Sequence, residues 1–222
     1  METIFVSKVS VLYFRPSFMK DKIIHTATDL FLKLGVKSTT MSYIANEMGI
    51  SKKTIYTHFQ SKSDLVEKCT FWFLEVIHEK IDAICALDQN PIQELFEIKK
   101  FVMNKLNNDQ YSPQFQLQKY YPEISQALQK AQFDLIIEST KANIERGIAM
   151  NLYRKSIDAD FISRLYFIGI SGMRDQTIFP PKKFSTTYIT DEFLEYHLRG
   201  IVTKEGLQVL NKFITENQLH GV

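Results

Sequence analysis

The chain has 222 residues, room for a small domain of about fifty residues and a larger one of ordinary size, each able to hold a core. Eight Gly and six Pro are few, apolar types make up 45%, and no alternating strand-like run interrupts the helical periodicities, which excludes a β-rich fold and makes the chain all-α. The net charge of +2 is uneven: residues 18–62 carry seven Lys against three Asp/Glu, and the remainder after Lys62 sums to −3.

Residues 1–18 are apolar but lack a basic leader region, a long apolar stretch and a small-residue cleavage site, and they are too short to span a bilayer. They read as a variable N-terminal arm or a mis-assigned start. A first helix is expected from Phe18 to Leu34, with Ile23, Ala27, Leu30, Phe31 and Leu34 on one face and Gly35 as its stop. In residues 40–65, TMSYIANEMGISKKTIYTHFQSKSDL, two short helices follow around Gly49. Ile44, Ala45 and Met48 repeat at helical spacing on the first, and Ile55 and Phe59 on the second, leaving Lys52, Lys53, Thr54, Tyr56 and His58 outward. Thr40 and Ser51 stand at N-cap positions, and Ser61 with Asp64 forms a capping box for a fourth helix.

That fourth helix runs from Lys62 to about Leu87, its apolar set extending from Leu65 to Ile84. Cys69 and Cys85 on it lie about 24 Å apart at 1.5 Å per residue, too far to bridge, and are expected as buried thiols of a reducing cytosol. Pro91 opens a fifth helix to Leu106, a polar loop covers 107–112, and Pro113 and Pro122 bracket a short sixth. A seventh runs from Glu123 to Met150, an eighth from Ala159 to about Phe179 capped by Asp158, and a last one opens at Thr190 or Asp191 with an apolar stripe of Leu194, Leu198, Ile201 and Val202.

The marks Ile44-Ala45, Met48-Gly49-Ile50-Ser51, Thr54-Ile55-Tyr56-Thr57-His58-Phe59 and Lys62 with Leu65 resemble the DNA-binding region of the tetracycline-repressor (TetR) family of transcriptional regulators. The resemblance implies a helix-turn-helix domain over residues 19–65 and a helical effector-binding and dimerisation domain over 66–222. It further implies that the third helix, Lys52 to about Phe59, enters the major groove of duplex DNA. Thr40, Ser51, Lys52, Lys53, Thr54, Tyr56, Thr57, His58 and Lys62 are then the DNA-binding residues, with Lys62, Tyr56 and Thr40 on phosphates. Homodimerisation through the last two helices, numbered eight and nine on sequence, would place two such helices on a palindromic operator. A small-molecule effector would bind among helices four to eight, where Phe101, Phe115, Tyr120, Phe133, Ile137 and Tyr166 are the candidates. The regulator is expected to be cytoplasmic, a repressor, and without cofactor, metal or membrane partner.

Two other readings compete. A metal-binding helical-bundle enzyme would need more than the one Glu-x-x-His pair, Glu75 and His78, and no second copy or other catalytic motif occurs. A helical protein–protein adaptor that has lost DNA binding would keep the apolar faces but show no salt-dependent affinity for duplex DNA.

Overall fold

The computed structural model describes residues 18–87, 89–106, 113–173, 175 and 177–219. Of the N-terminal arm expected at 1–18, residues 1–17 lie outside them and Phe18 opens the first helix; the loop expected at 107–112 also lies outside them. Among the described residues the chain forms ten helices: α1 (Phe18–Leu34), α2 (Met41–Glu47), α3 (Lys52–Tyr56), α4 (Lys62–Cys85), α5 (Pro91–Leu106), α6 (Pro113–Tyr120), α7 (Pro122–Ala149), α8 (Ala159–Gly172), α9 (Thr186–Ile201) and α10 (Lys204–Leu219). The described residues include one β-type contact, an isolated bridge between Tyr153 and Val202.

The apolar periodicity of the first four helices converges on one core. Ile23, Ala27 and Phe31 of α1 meet Ile44 and Ala45 of α2, Ile55 of α3, Phe59, and Leu65, Val66 and Cys69 of α4. The cluster does not stop at the start of α4: Leu117 of α6 and Ile124 of α7 are buried in it as well. Leu34, expected on the packed face of α1, is exposed instead.

A second core joins Ile92 and Leu95 of α5 to Leu152, Tyr153, the α9 residues Leu194, Leu198 and Ile201, then Val202 and Leu210 of α10. Here the structure corrects four expectations. Helix α8 ends at Gly172, seven residues earlier than expected, and the Asp175 carboxylate accepts from the Thr177 amide (2.8 Å) and hydroxyl (2.6 Å). Such a local side-chain acceptor gives the backbone a turn to adopt in place of another helical turn. Helix α9 begins at Thr186, with Ser185 as its N-cap. It ends where Val202 turns extended, and Thr203 accepts from the Gly206 amide (3.0 Å) to open α10, a helix not expected from sequence. The stripe Leu194, Leu198, Ile201 and Val202, assigned to a dimer interface, is consumed by this intrachain core, and α10 lies against α5 with Phe213 stacked on Phe96 at 6.1 Å.

Candidate nucleic-acid interface and cavity

The helix-turn-helix is built by caps and one turn. The Thr40 hydroxyl accepts from the Tyr43 amide (3.1 Å), Ser51 from the Thr54 amide (3.0 Å) and Ser61 from the Asp64 amide (3.1 Å). Asp64 reciprocates by accepting from the Gln60 amide (2.9 Å). Between α2 and α3, Gly49 has φ +64, a left-handed conformation that favours glycine although a Cβ there would meet nothing. With Ile44, Ala45, Ile55 and Phe59 all buried, the opposite face is free.

That face carries Thr40, Ser51, Lys52, Lys53, Tyr56 and Thr57, all exposed; Thr54 and His58 are half-buried. Helix α3, expected as the recognition helix, is shorter than expected, ending at Tyr56 with Thr57 as its C-cap, so His58 stands beyond it. The Lys52 ammonium lies 5.7 Å from the centre of the Tyr56 ring, while the Thr54 hydroxyl shares a 2.9 Å bond with that of Ser51. Tyr43, exposed beside the Thr40 cap, belongs to the same surface and was missed on sequence. An aromatic residue three positions after an N-cap, outside the apolar stripe, was its only signal. Lys62 is differently employed: its ammonium donates to the backbone carbonyl of Val36 (2.5 Å) and approaches that of Lys37 (3.4 Å), and burial holds its pKa below the usual lysine value. It clamps the start of α4 to the end of α1.

Behind this domain a cavity of about 510 Å³ opens between α1, α4, α5, α7, α8 and α9. Of the six residues expected around an effector, only Tyr166 lines it. The α5 wall includes Leu95, Ile98, Lys99 and Val102, a helical stripe that turns Phe101 aside; on α7 the wall includes Ile136, Ser139 and Thr140 and omits Ile137. Phe115 and Tyr120 are exposed on α6 beneath the Lys119 ammonium. Phe133 faces outward from α7, edge-on to Phe167 at 5.1 Å and beneath the Arg164 guanidinium. The sequence displays the aromatic residues but not the rotation of each helix about its axis.

The polar part of the wall is a buried network. Glu94, fully buried, accepts from the Asn143 side-chain amide (2.8 Å) and the Arg146 guanidinium (2.5 Å), and the Tyr153 hydroxyl donates to Asn143 (3.2 Å). Burial and the neighbouring Glu94 push the Cys85 thiol up to about 11, and burial pushes Cys69 to about 12, so both thiols stay protonated. His78 pairs with Asp82 at 3.5 Å, and the described residues contain no group of three potential metal ligands.

On the outer surface, Phe161, Leu165 and Ile168 of α8 stand exposed on one face, with Tyr188 and Tyr196 of α9 also exposed. Gly172 and Gly200 have open space where a Cβ would be. No helix among the described residues is long and apolar enough to cross a membrane.

Residues 23–69 match the family model described as bacterial regulatory proteins, tetR family. The chain is 23% identical over 199 residues to the HTH-type transcriptional repressor KstR2 of Mycolicibacterium smegmatis, covering 86% of this chain and 95% of that protein. It is 29% identical over 158 residues to the negative transcriptional regulator IcaR of the Staphylococcus aureus biofilm operon icaADBC, covering 64% and 85%. The fold is shared with a transcriptional regulator from Cytophaga hutchinsonii (TM-score 0.67, 18% identity, 82% of this chain and 98% of that one). It is also shared with a regulator from Saccharomonospora viridis solved in complex with choline (TM-score 0.66, 18% identity, 85% and 100%).

Proposed function

We propose that this chain, which belongs to the tetR family of bacterial regulatory proteins, acts in the cytoplasm as a homodimeric repressor that binds a palindromic operator and is released by a small molecule. The observation that carries this reading is the continuity of cavity and DNA-binding domain. Thr28 and Phe31 of α1, and Val36 just beyond its end, line the cavity, and Val36 also supplies the carbonyl that holds Lys62. Leu117 of α6 lines it too, while the neighbouring Gln116 accepts from the Lys37 amide (3.3 Å). A ligand that alters this wall therefore acts on the corner from which α2 and α3 hang. Shifting such a protein from mostly bound to mostly released takes a differential affinity of roughly 5 kcal/mol between its two conformations.

Lys52 and Lys53, exposed at the start of α3, supply base-edge or phosphate contacts, with Tyr56, Thr57 and Thr40 along the backbone on either side. The exposed face of α8 with the tyrosines of α9 is the surface that pairs two copies, so that two recognition helices lie about 34 Å apart. Fluorescence titration of a labelled duplex at several salt concentrations tests the assignment. Lys53→Ala is expected to weaken binding and lower the salt slope by about one. Lys62→Ala, which removes a clamp, should lower the melting temperature and change the slope less. Affinity for DNA that ignores both salt and Lys53 would favour the adaptor reading.

A further inference from the structure

The cavity wall holds one acidic and two basic side chains, Glu94, Lys99 and His78, and each already has a partner of the opposite type. Glu94 is matched by Arg146, with Asn143 on its other oxygen; Lys99 is bonded to Asp191 at 2.5 Å; His78 faces Asp82. The remaining titratable groups among the described lining residues, the Cys69 thiol and the Tyr166 phenol, are both pushed up to about 12 by burial and stay neutral. To pair with Lys99 an anion would have to displace Asp191, and to pair with Glu94 a cation would have to displace Arg146. In either case the ligand's own charge is gained at the expense of a pair already made, on top of its desolvation.

What the wall leaves unmatched is neutral. The Tyr166 hydroxyl makes no hydrogen bond among the described residues, its ring being held by Phe193 at 5.6 Å and His197 at 4.7 Å. The Thr28 hydroxyl, buried at the α1 end, has no oxygen or nitrogen partner, only the Cys69 thiol beside it. Elsewhere the wall is mainly hydrocarbon, from Phe73 and Ile77 of α4 to Leu135 and Ile170 opposite, with uncharged polar side chains such as Gln132, Ser139 and Thr140 on α7. A cavity of about 510 Å³ accepts a molecule of drug size.

We propose that the effector is an uncharged, mainly hydrocarbon molecule carrying a hydroxyl or carbonyl oxygen that bonds to the Tyr166 hydroxyl, and is neither a carboxylate nor a quaternary ammonium. This rests on the cavity being the effector site. Calorimetric titration of the full chain at pH 7 with three probes of equal chain length tests it: 1-dodecanol, dodecanoate and dodecyltrimethylammonium, each kept below its micellar concentration. Dodecanol is expected to bind at least about tenfold more tightly than either ion. Tyr166→Phe should weaken dodecanol about fivefold while leaving the melting temperature in place. Ser139→Phe, which fills the cavity from α7, should abolish its binding. An ion that binds as tightly as dodecanol, no binding by any of the three, or dodecanol binding indifferent to Ser139→Phe each overturns the proposal. Salt-dependent duplex binding by the unliganded protein is measured in parallel. Its absence overturns the regulator while dodecanol binding upholds the ligand class, and its presence with a winning ion does the reverse.

Discussion

His197 shows how one buried side chain ties stability to pH. It lies on α9 against the rings of Tyr166 and Phe193, its Nε2 has no hydrogen-bond partner, and burial pushes its pKa down to about 4. The unfolded chain, with an ordinary value near 6.5, binds the proton first on acidification. Folding stability is therefore fully present above about pH 6.5, and is lost progressively as pH falls toward 4. The shift corresponds to about 3 kcal/mol at the acid end of that window. His197→Phe is expected to remove this part of the acid sensitivity. Urea melts at pH 7 and pH 4.5 check it: the loss between the two should be smaller in the variant by about 2 kcal/mol, and equal losses would refute the assignment. Comparing each protein with itself cancels any repacking cost of the larger ring.

At the scale of elements, the corner between α1 and α2 carries the most consequence for its size. Gly35 there has φ +83, and a Cβ added to it would come within 2.3 Å of the Gln116 side-chain amide. Gly35→Ala should therefore lose stability twice, through backbone strain and through displacement of Gln116, for a total of about 2 kcal/mol. Gln116→Ala in the same chain should restore only the second part, so a double-mutant cycle by thermal melting should give a positive coupling of about 1 kcal/mol. Additive losses would mean that α6 does not bear on this corner. The same corner marks the limit of what the sequence discloses. The stop at Gly35, the caps at Thr40, Ser51 and Ser61 and the burial of Ile44, Ala45 and Ile55 on α2 and α3 were legible because each depends on neighbours within four residues, whereas Met48, expected in the core, is half-buried and Met41 takes a buried place instead. That Gln116 meets Lys37 across 79 positions was not. Nor was the rotation of α5 and α7 that excludes Phe101 and Ile137 from the cavity and admits Ile98 and Ile136. Helix α10 was legible in principle, since Leu207, Leu210, Phe213 and Ile214 repeat at helical spacing. It was missed because Val202 and Thr203 break the chain without Gly or Pro.

For the whole molecule the question is which apolar surface is left once the fold is complete. The stripe of α9 that suggested a partner on sequence is at most 9% exposed and already packed within the chain, and α10 is spent on α5. Phe161, Leu165 and Ile168 of α8, at 61%, 50% and 64% exposure, are not, and their spacing of four and three residues puts them on a single helical face. Three such side chains exposed together on one helix are unusual in a protein that stays monomeric. A second copy related by a two-fold axis would cover them with the same residues of its own α8. The proposed operator contact depends on that pairing, because one helix of five residues reads few bases and two must be held one helical turn of DNA apart. Leu165→Glu is therefore expected to convert the dimer to monomer in sedimentation experiments while leaving the helical content of the chain intact, because the residue faces solvent in the single chain. DNA affinity should fall by a factor of at least about a hundred, since the second half-site must then be bound as an independent event. A variant that remains dimeric would move the interface away from α8. A monomer with undiminished affinity would mean that the two half-sites are not read together.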